Sequence, residues 1–399
     1  EHVGESDDGA TWFADFRVPE RSTGFVRRHE NTWSRLPDAD SIRVQRRGVT
    51  RAGMPWIAGD QIVDRTRVAA TALYQDGQWV RMLHEQLGER FSYSRETSTG
   101  DLWLSAAPGH GLARYRGGQW EYFVEISNQP IHDIAQLPDG SLVTGGVWEM
   151  KRLDGHNWSD LDAPQELLQD IQRSVIVDRH DLLWVASNMN GVFRRNRDGT
   201  WNRYDVSEGV EHRVTLFLGP DGEAWNIGTD GRQWFVSRFD GTRWVTALEP
   251  RGPALRISAH VDSEGALWLN EFPRPEAGTP VFTHRIVLDN QPPETTITLA
   301  THEISQPGNV VVSWSGADAW RDTPPEQLSY SWRLDEGDWS AYTTTTTHTL
   351  LDLPDGDHAL EVLARDRELN VDRTPAVAHF TVVPPVWRQA WFLSLITAL

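Results

Sequence analysis

Short apolar runs, each closed by an Asp/Gly-type turn, follow one another along most of this chain. DLWLS, LLWVAS and RWVTAL are alternating or rich in β-branched and aromatic residues, which predicts strands rather than helices. Asp-Gly and its relatives accept positive φ and join antiparallel strands in tight hairpins. The pattern therefore predicts strand after strand, each folding back on the one before.

The same pattern returns with a period of about 42 residues, marked twice per repeat by tryptophan. One series begins an apolar run after a turn: Trp12, Trp56, Trp103, Trp184, Trp225 and Trp268, with Val143 of DGSLVTGG in the place of a fourth member. The second follows the next turn: Trp33, Trp79, Trp120, Trp158, Trp201 and Trp244. A unit of this length with four short strands is a β-propeller blade. A blade cannot cover its own face, so the indoles are expected to wedge against the next blade and to serve packing rather than binding. The first series predicts seven blades, with the first and last sharing strands so that no sheet edge is left open. Trp12 lies so near the start that most of the strand before it is expected to be missing.

The period stops after Trp268. FPRPEAGTP interrupts the chain, VFTHRIVLD adds a strand, and DNQPPET reads as a linker. The following segments, VVVSWSGAD, LSYSWRLDEGDWSAY, HALEVLARD and AVAHFTVV, predict an immunoglobulin-like β-sandwich without a disulfide. The expected organisation is thus all-β: a seven-bladed propeller over residues 1–289, a sandwich over 290–385, and, in WRQAWFLSLITAL, the start of a truncated transmembrane helix over 386–399.

Composition narrows the function. There is no Cys, so neither disulfides nor thiolate chemistry are available. A formal charge of −19 opposes nucleic acid and anionic lipid as partners. The chain has no P-loop, HExxH, dinucleotide-binding glycine fingerprint or G-x-S-x-G elbow. Asp198-Gly199 and Asp221-Gly222-Glu223 lack the alternating ligands of a calcium loop and read as hairpin turns. No catalytic residue, metal or cofactor is expected. The one acid–base option is His212 with Glu208 or Glu211.

Recognition is expected on the face opposite the Asp-Gly turns, where the longer connections emerge. That face carries Asp60, Asp64, Arg65, Asn128, Glu208, Glu211 and Phe272. The candidate ligand-binding residues are His110, Trp148, Glu149, Asn188, Asn190, His212, Asp230, Arg232, Trp234 and Arg274. An aromatic beside a polar group, as in Trp148/Glu149 or Arg232/Trp234, can stack on a sugar and hydrogen-bond to it.

LSYSWRLDEGDWSAY, HALEVLARD and the closing PPVWRQAWF resemble the three-Tyr domain of bacterial two-component sensors, and the preceding repeats are similar to their two-component regulator propeller repeats. Tyr330 and Tyr342 match the pattern, whereas Trp332 stands where Tyr is common. The resemblance implies the ligand-sensing region of a membrane-bound receptor at the periplasmic or extracellular face of the cytoplasmic membrane. It implies a homodimer through the sandwich, a small-molecule or oligosaccharide ligand, and no enzyme activity within this chain. The alternatives are a propeller enzyme, a lyase or glycan-processing protein with an accessory sandwich, or a protein-interaction scaffold.

Overall fold

The turns that open the repeats share one construction, and it sets where the strands begin. In the computed structural model, which describes residues 2–14, 24–39, 42–107, 111–124, 129–210, 214–229, 232–251, 256–262, 264–272, 282–287, 289, 291–299, 301–318 and 323–398, Ser6, Thr50, Thr97, Leu137, Asp178, Gly219 and Asp262 each donate their backbone N–H to the carbonyl four residues on, at 2.8–3.0 Å. The residue three positions on returns an N–H to the same residue. That return needs a left-handed backbone, supplied by Gly9, Gly53, Gly100, Gly140, Gly222 and Gly265, and by Asp181 at φ 64°. Asp181→Gly relieves a side chain held in a region that L-residues avoid, against the extra entropy glycine brings to the unfolded chain. The expected net gain is about 0.5 kcal/mol, measured as a rise of about 1–2 °C in the thermal midpoint.

The chain divides into two compact units, Glu1–Val287 and Leu288–Leu399. The first is a succession of four-stranded antiparallel meanders over residues 2–35, 43–83, 90–123, 131–160, 172–204 and 215–251, followed by a three-stranded sheet over 256–286. The first strand of each sheet packs beside the first strand of the next, as in a β-propeller. The hydrophobic clusters lie between consecutive sheets: Ile176, Trp184 and Val192 of one share a cluster with Leu216, Phe239 and Trp244 of the next. Neither sheet could bury these residues alone.

Trp12, Trp56, Trp103, Trp184 and Trp225 stand in the second strand of their sheets, buried at 1–6% exposure. The second series stands in fourth strands, where Trp33 is 59% exposed, Trp79, Trp120, Trp158 and Trp201 are half-buried, and Trp244 alone is buried, at 3%. Burial obliges the indole N–H to find an acceptor. Trp12 Nε1 bonds Ser6 Oγ at 3.0 Å, Trp184 bonds Asp178 Oδ2 at 2.7 Å and Trp268 bonds Asp262 Oδ2 at 2.8 Å, each reaching back to its own turn. Gly219 occupies the equivalent position before Trp225, where a Cβ would stand 2.0 Å from the indole nitrogen. That indole bonds Asp221 Oδ1 at 3.1 Å instead.

The last sheet meets the first directly. The His2 ring stacks on Trp268 at 4.4 Å, and Asn270 Nδ2 donates to the His2 carbonyl at 3.4 Å. The expected exchange of strands does not occur among the described residues. The first sheet has its own opening strand, His2–Glu5, and the last uses only strands from 256–286. Side-chain packing joins them.

The second unit has two sheets. One orders Glu294–Leu299, Val310–Ala317 and Thr347–Leu350. The other orders Glu303–Ser305, Ala376–Val383, Gly356–Arg365 and Ser329–Leu334, the first pair parallel. Val312 and Trp314 of one and Tyr330, Val362 and Phe380 of the other share a single core. Ala390–Ala398 form a nine-residue helix. No helix of the described residues is long and apolar enough to cross a membrane.

Candidate ligand-binding surface

Asp170, in the connection before the strand Gln172–Val177, gathers two of the nominated residues, Trp148 and Asn190. Its backbone carbonyl accepts the Trp148 N–H at 3.0 Å. Its carboxylate accepts the Ser187 hydroxyl, the Met189 N–H at 2.6 Å and Asn190 Nδ2 at 3.2 Å. Asn188 donates its N–H to Ile171 O at 2.9 Å, while its side-chain oxygen receives Arg173 Nε at 2.7 Å. Burial raises the Asp170 carboxyl, but the Ser187 hydroxyl and the surrounding backbone donors outweigh it and hold the group below the usual carboxylate range. A charged hub with this many donors fixes the loops of two neighbouring sheets to each other.

Two large apolar side chains stand out from this fixed base. Trp148 is 65% exposed and Met189 is 76% exposed. Trp148 also has φ 61°, an uncommon backbone state for a bulky residue. Glu149 follows it, half-buried, with Lys151 Nζ 3.6 Å away and Oε1 without a hydrogen-bond partner among the described residues. Burial pushes the Glu149 carboxyl up. His132, on the opening strand of the same sheet, is pushed down by burial and by Arg173, which favours a neutral imidazole. The surface thus offers exposed apolar area flanked by amide, carboxylate and guanidinium groups.

The other nominated residues fare differently. Arg232 is exposed. Trp234 is 2% exposed, in the strand Trp234–Phe239, so it packs within the protein and cannot serve as a stacking platform. Its bulk reads equally well as core or as loop, and only the observed strand boundary decides. His110, His212, Asp230 and Arg274 lie outside the described residues. Glu208, the partner weighed for His212, completes a capping box, accepting the Asp205 N–H at 3.0 Å. Asp60 accepts Arg43 Nη2 at 2.9 Å and Gln45 Nε2 at 2.6 Å, beside a cavity of about 390 Å³ lined by Arg43, Arg46 and Arg90.

A larger cavity, about 670 Å³, opens among Glu5, Asp7, Arg51, Glu96, His260 and Asp262. It lies at the Asp-Gly turns, on the face opposite the nominated loops. Glu96 accepts the Arg51 N–H there at 2.9 Å, and burial pushes its carboxyl up. Its lining comes from ordinary turn positions of separate repeats, so no local motif announces it. Asp170 was missed for a related reason: it precedes a strand without any aromatic or metal-type neighbour in sequence.

Neither a protein-family model nor a curated protein sequence matches the chain. Among solved structures, one from the mitotic checkpoint complex superposes with a TM-score of 0.52 at 13% identity, covering 72% of this chain and 87% of that one. The extracellular domain of a proposed one-component system from B. thetaiotaomicron gives 0.43 at 13% identity, covering 94% of this chain and 63% of that one. A virginiamycin B lyase from Staphylococcus aureus gives 0.49 at 13% identity, covering 67% and 89%. This chain spans less than two thirds of the B. thetaiotaomicron domain. At these identities the likeness concerns the fold alone.

Proposed function

We propose that the chain is the extracytoplasmic ligand-sensing region of a membrane-bound bacterial signalling receptor of two-component type, and that the Trp148–Met189 surface receives an oligosaccharide. The carrying observation is that surface. An exposed indole and thioether stand over polar side chains already locked by Asp170, so little ordering entropy remains to be lost on binding. In this reading the first unit is a seven-bladed propeller, with residues 256–286 as its last blade. The second is an immunoglobulin-like sandwich of the three-Tyr kind, where buried Tyr330 and half-buried Tyr342, the latter with Arg365 3.7 Å from its ring centroid, keep the pattern. The sandwich pairs with a second copy at the periplasmic or extracellular face of the membrane, and the chain beyond residue 385 provides the anchor. Signalling follows if ligand binds one geometry of the dimer better than the other.

Thermal unfolding of the 399-residue chain against an oligosaccharide panel, with turnover measured for each hit, tests this. A ligand at 100 times its Kd adds about 2.7 kcal/mol. Trp148→Ala removes an exposed ring, so stability without ligand changes by about 0.5 kcal/mol at most. Affinity is expected to fall about tenfold or more. Undiminished binding by the variant, or no shift with any sugar, would overturn the assignment. Turnover of the bound sugar would favour a glycan-processing enzyme.

A further inference from the structure

Three aspartates far apart in the sequence converge in the second unit. Asp289 lies in the segment that leads into Glu294–Leu299, Asp318 directly follows Val310–Ala317, and Asp366 directly follows Gly356–Arg365. One carboxylate oxygen of each lies within 4.8 Å of those of the other two. Asp318 and Asp366 thus stand at strand ends and are buried, at 7% and 2% exposure.

Crowded carboxylates normally find a guanidinium or ammonium. Here, among the described residues, no Lys, Arg or His pairs with any of the three. Asp318 is 7% exposed, and its Oδ1 has no hydrogen-bond donor, although Oδ2 receives the Thr323 N–H at 2.7 Å. Asp289 Oδ2 is likewise buried without a donor, while Oδ1 takes the Gln291 N–H at 3.1 Å. Leaving charged oxygens buried and unpaired costs several kcal/mol.

The neighbouring backbone is arranged to hold the oxygens in place. Asn370 donates its N–H to Asp366 Oδ1 and its Nδ2 to Asp366 Oδ2, both at 2.7 Å, and the same Nδ2 reaches the Asp289 carbonyl at 3.0 Å. The turn that brings Asn370 back requires Leu369 at φ 64°. Thr323 extends the frame: its hydroxyl donates to Glu368 Oε2 at 3.3 Å and accepts the Arg367 N–H at 3.2 Å.

We propose that Asp289, Asp318 and Asp366 bind one calcium ion, which ties the segment leading into the second unit to the ends of two of its strands. Calcium takes hard oxygen ligands at about 2.3–2.6 Å in flexible geometry, so two ligands across the ion stand about 4.6–5.2 Å apart. Magnesium holds its ligands at about 2.0–2.1 Å in a strict octahedron and keeps several waters, which suits a buried carboxylate cluster less well. The assignment does not depend on the ligand proposed for the first unit.

The test is calorimetric titration of the chelator-stripped 399-residue chain with calcium chloride, paired with thermal unfolding in excess calcium and in excess chelator. The expected result is saturable binding at one site and a midpoint higher in calcium. Asp318→Asn and Asp366→Asn should each weaken binding tenfold or more, whereas Trp148→Ala should leave it unchanged. No heat and no midpoint shift with the unmodified chain would overturn the proposal, whatever the variants do. So would calcium binding undiminished in both aspartate variants, or magnesium binding as tightly as calcium.

Discussion

Trp184→Ala is expected to lower stability by about 3–5 kcal/mol, the largest loss from any single Trp of the first series. The ring is 1% exposed and sits in the cluster that joins its own sheet to the next. Removing it opens a cavity beside Phe239 and Trp244, whose rings stand 4.8 and 5.5 Å from it. It also leaves Asp178 Oδ2 without the indole donor and strips Arg194 of the aromatic face 5.4 Å away. The contrast is Trp201→Ala, in a half-buried fourth-strand position, for which about 1 kcal/mol is expected. Urea unfolding of both variants decides. Equal losses would contradict the division of labour between inner and outer tryptophans.

The share of stability that His84 and His2 contribute is expected to fall as pH drops from about 6.5 to about 4. Burial pushes His84 down to about 4, and burial together with His260 pushes His2 down to about 3. His84 is fully buried, its ring nitrogens engaged by Thr71 Oγ1 at 2.8 Å and the Tyr122 hydroxyl at 2.9 Å. The folded pKa lies below the unfolded one. Between the two values the unfolded chain therefore takes up a proton that the folded chain refuses. The stabilisation is complete above the unfolded value and lost on acidification, by about 3 kcal/mol for His84 alone. Urea midpoints at about pH 7.5 and about pH 4.5 measure it, and His84→Gln should flatten the difference. The same pH dependence in the unmodified chain and in His84→Gln would show that the ring is hydrated in the folded protein.

The strand pattern and the four-stranded repeat were legible because they rest on local chemistry: Asp-Gly turns, short apolar runs and an indole at a fixed offset. The arginines were not. Arg27, Arg114, Arg194, Arg238 and Arg285 lie 5.3–5.8 Å over Trp12, Trp103, Trp184, Trp225 and Trp268, always from the next strand. The variable length of the intervening loops hides that pairing from any fixed spacing. Where Val143 replaces the indole, Arg152 opposite it still bonds Asp139 and Ser141 of the turn, as Arg27, Arg238 and Arg285 bond the carboxylates of theirs. At the candidate surface, Trp148, Asn188 and Asn190 were visible as loop residues, but Asp170, which joins Trp148 to Asn190, carried no signal. The aspartates of the second unit were hidden more deeply, since only the packing of two sheets brings Asp289, Asp318 and Asp366 together. A residue following a strand, as in SWSGAD and LARD, was the available hint.

The stacking of His2 on Trp268 joins the two ends of the first unit. Each sheet docks on the one just made, so most of the first unit can zip up from neighbours close in sequence. The contact between residues 2 and 268 has no such help, since its partners lie at opposite ends of the unit in sequence. Joining distant ends costs loop entropy that grows only slowly with length, so docking intermediate sheets does more for closure than shortening the chain would. Until residues 256–286 have folded, the His2 side of the first sheet lacks the indole that covers it in the finished unit.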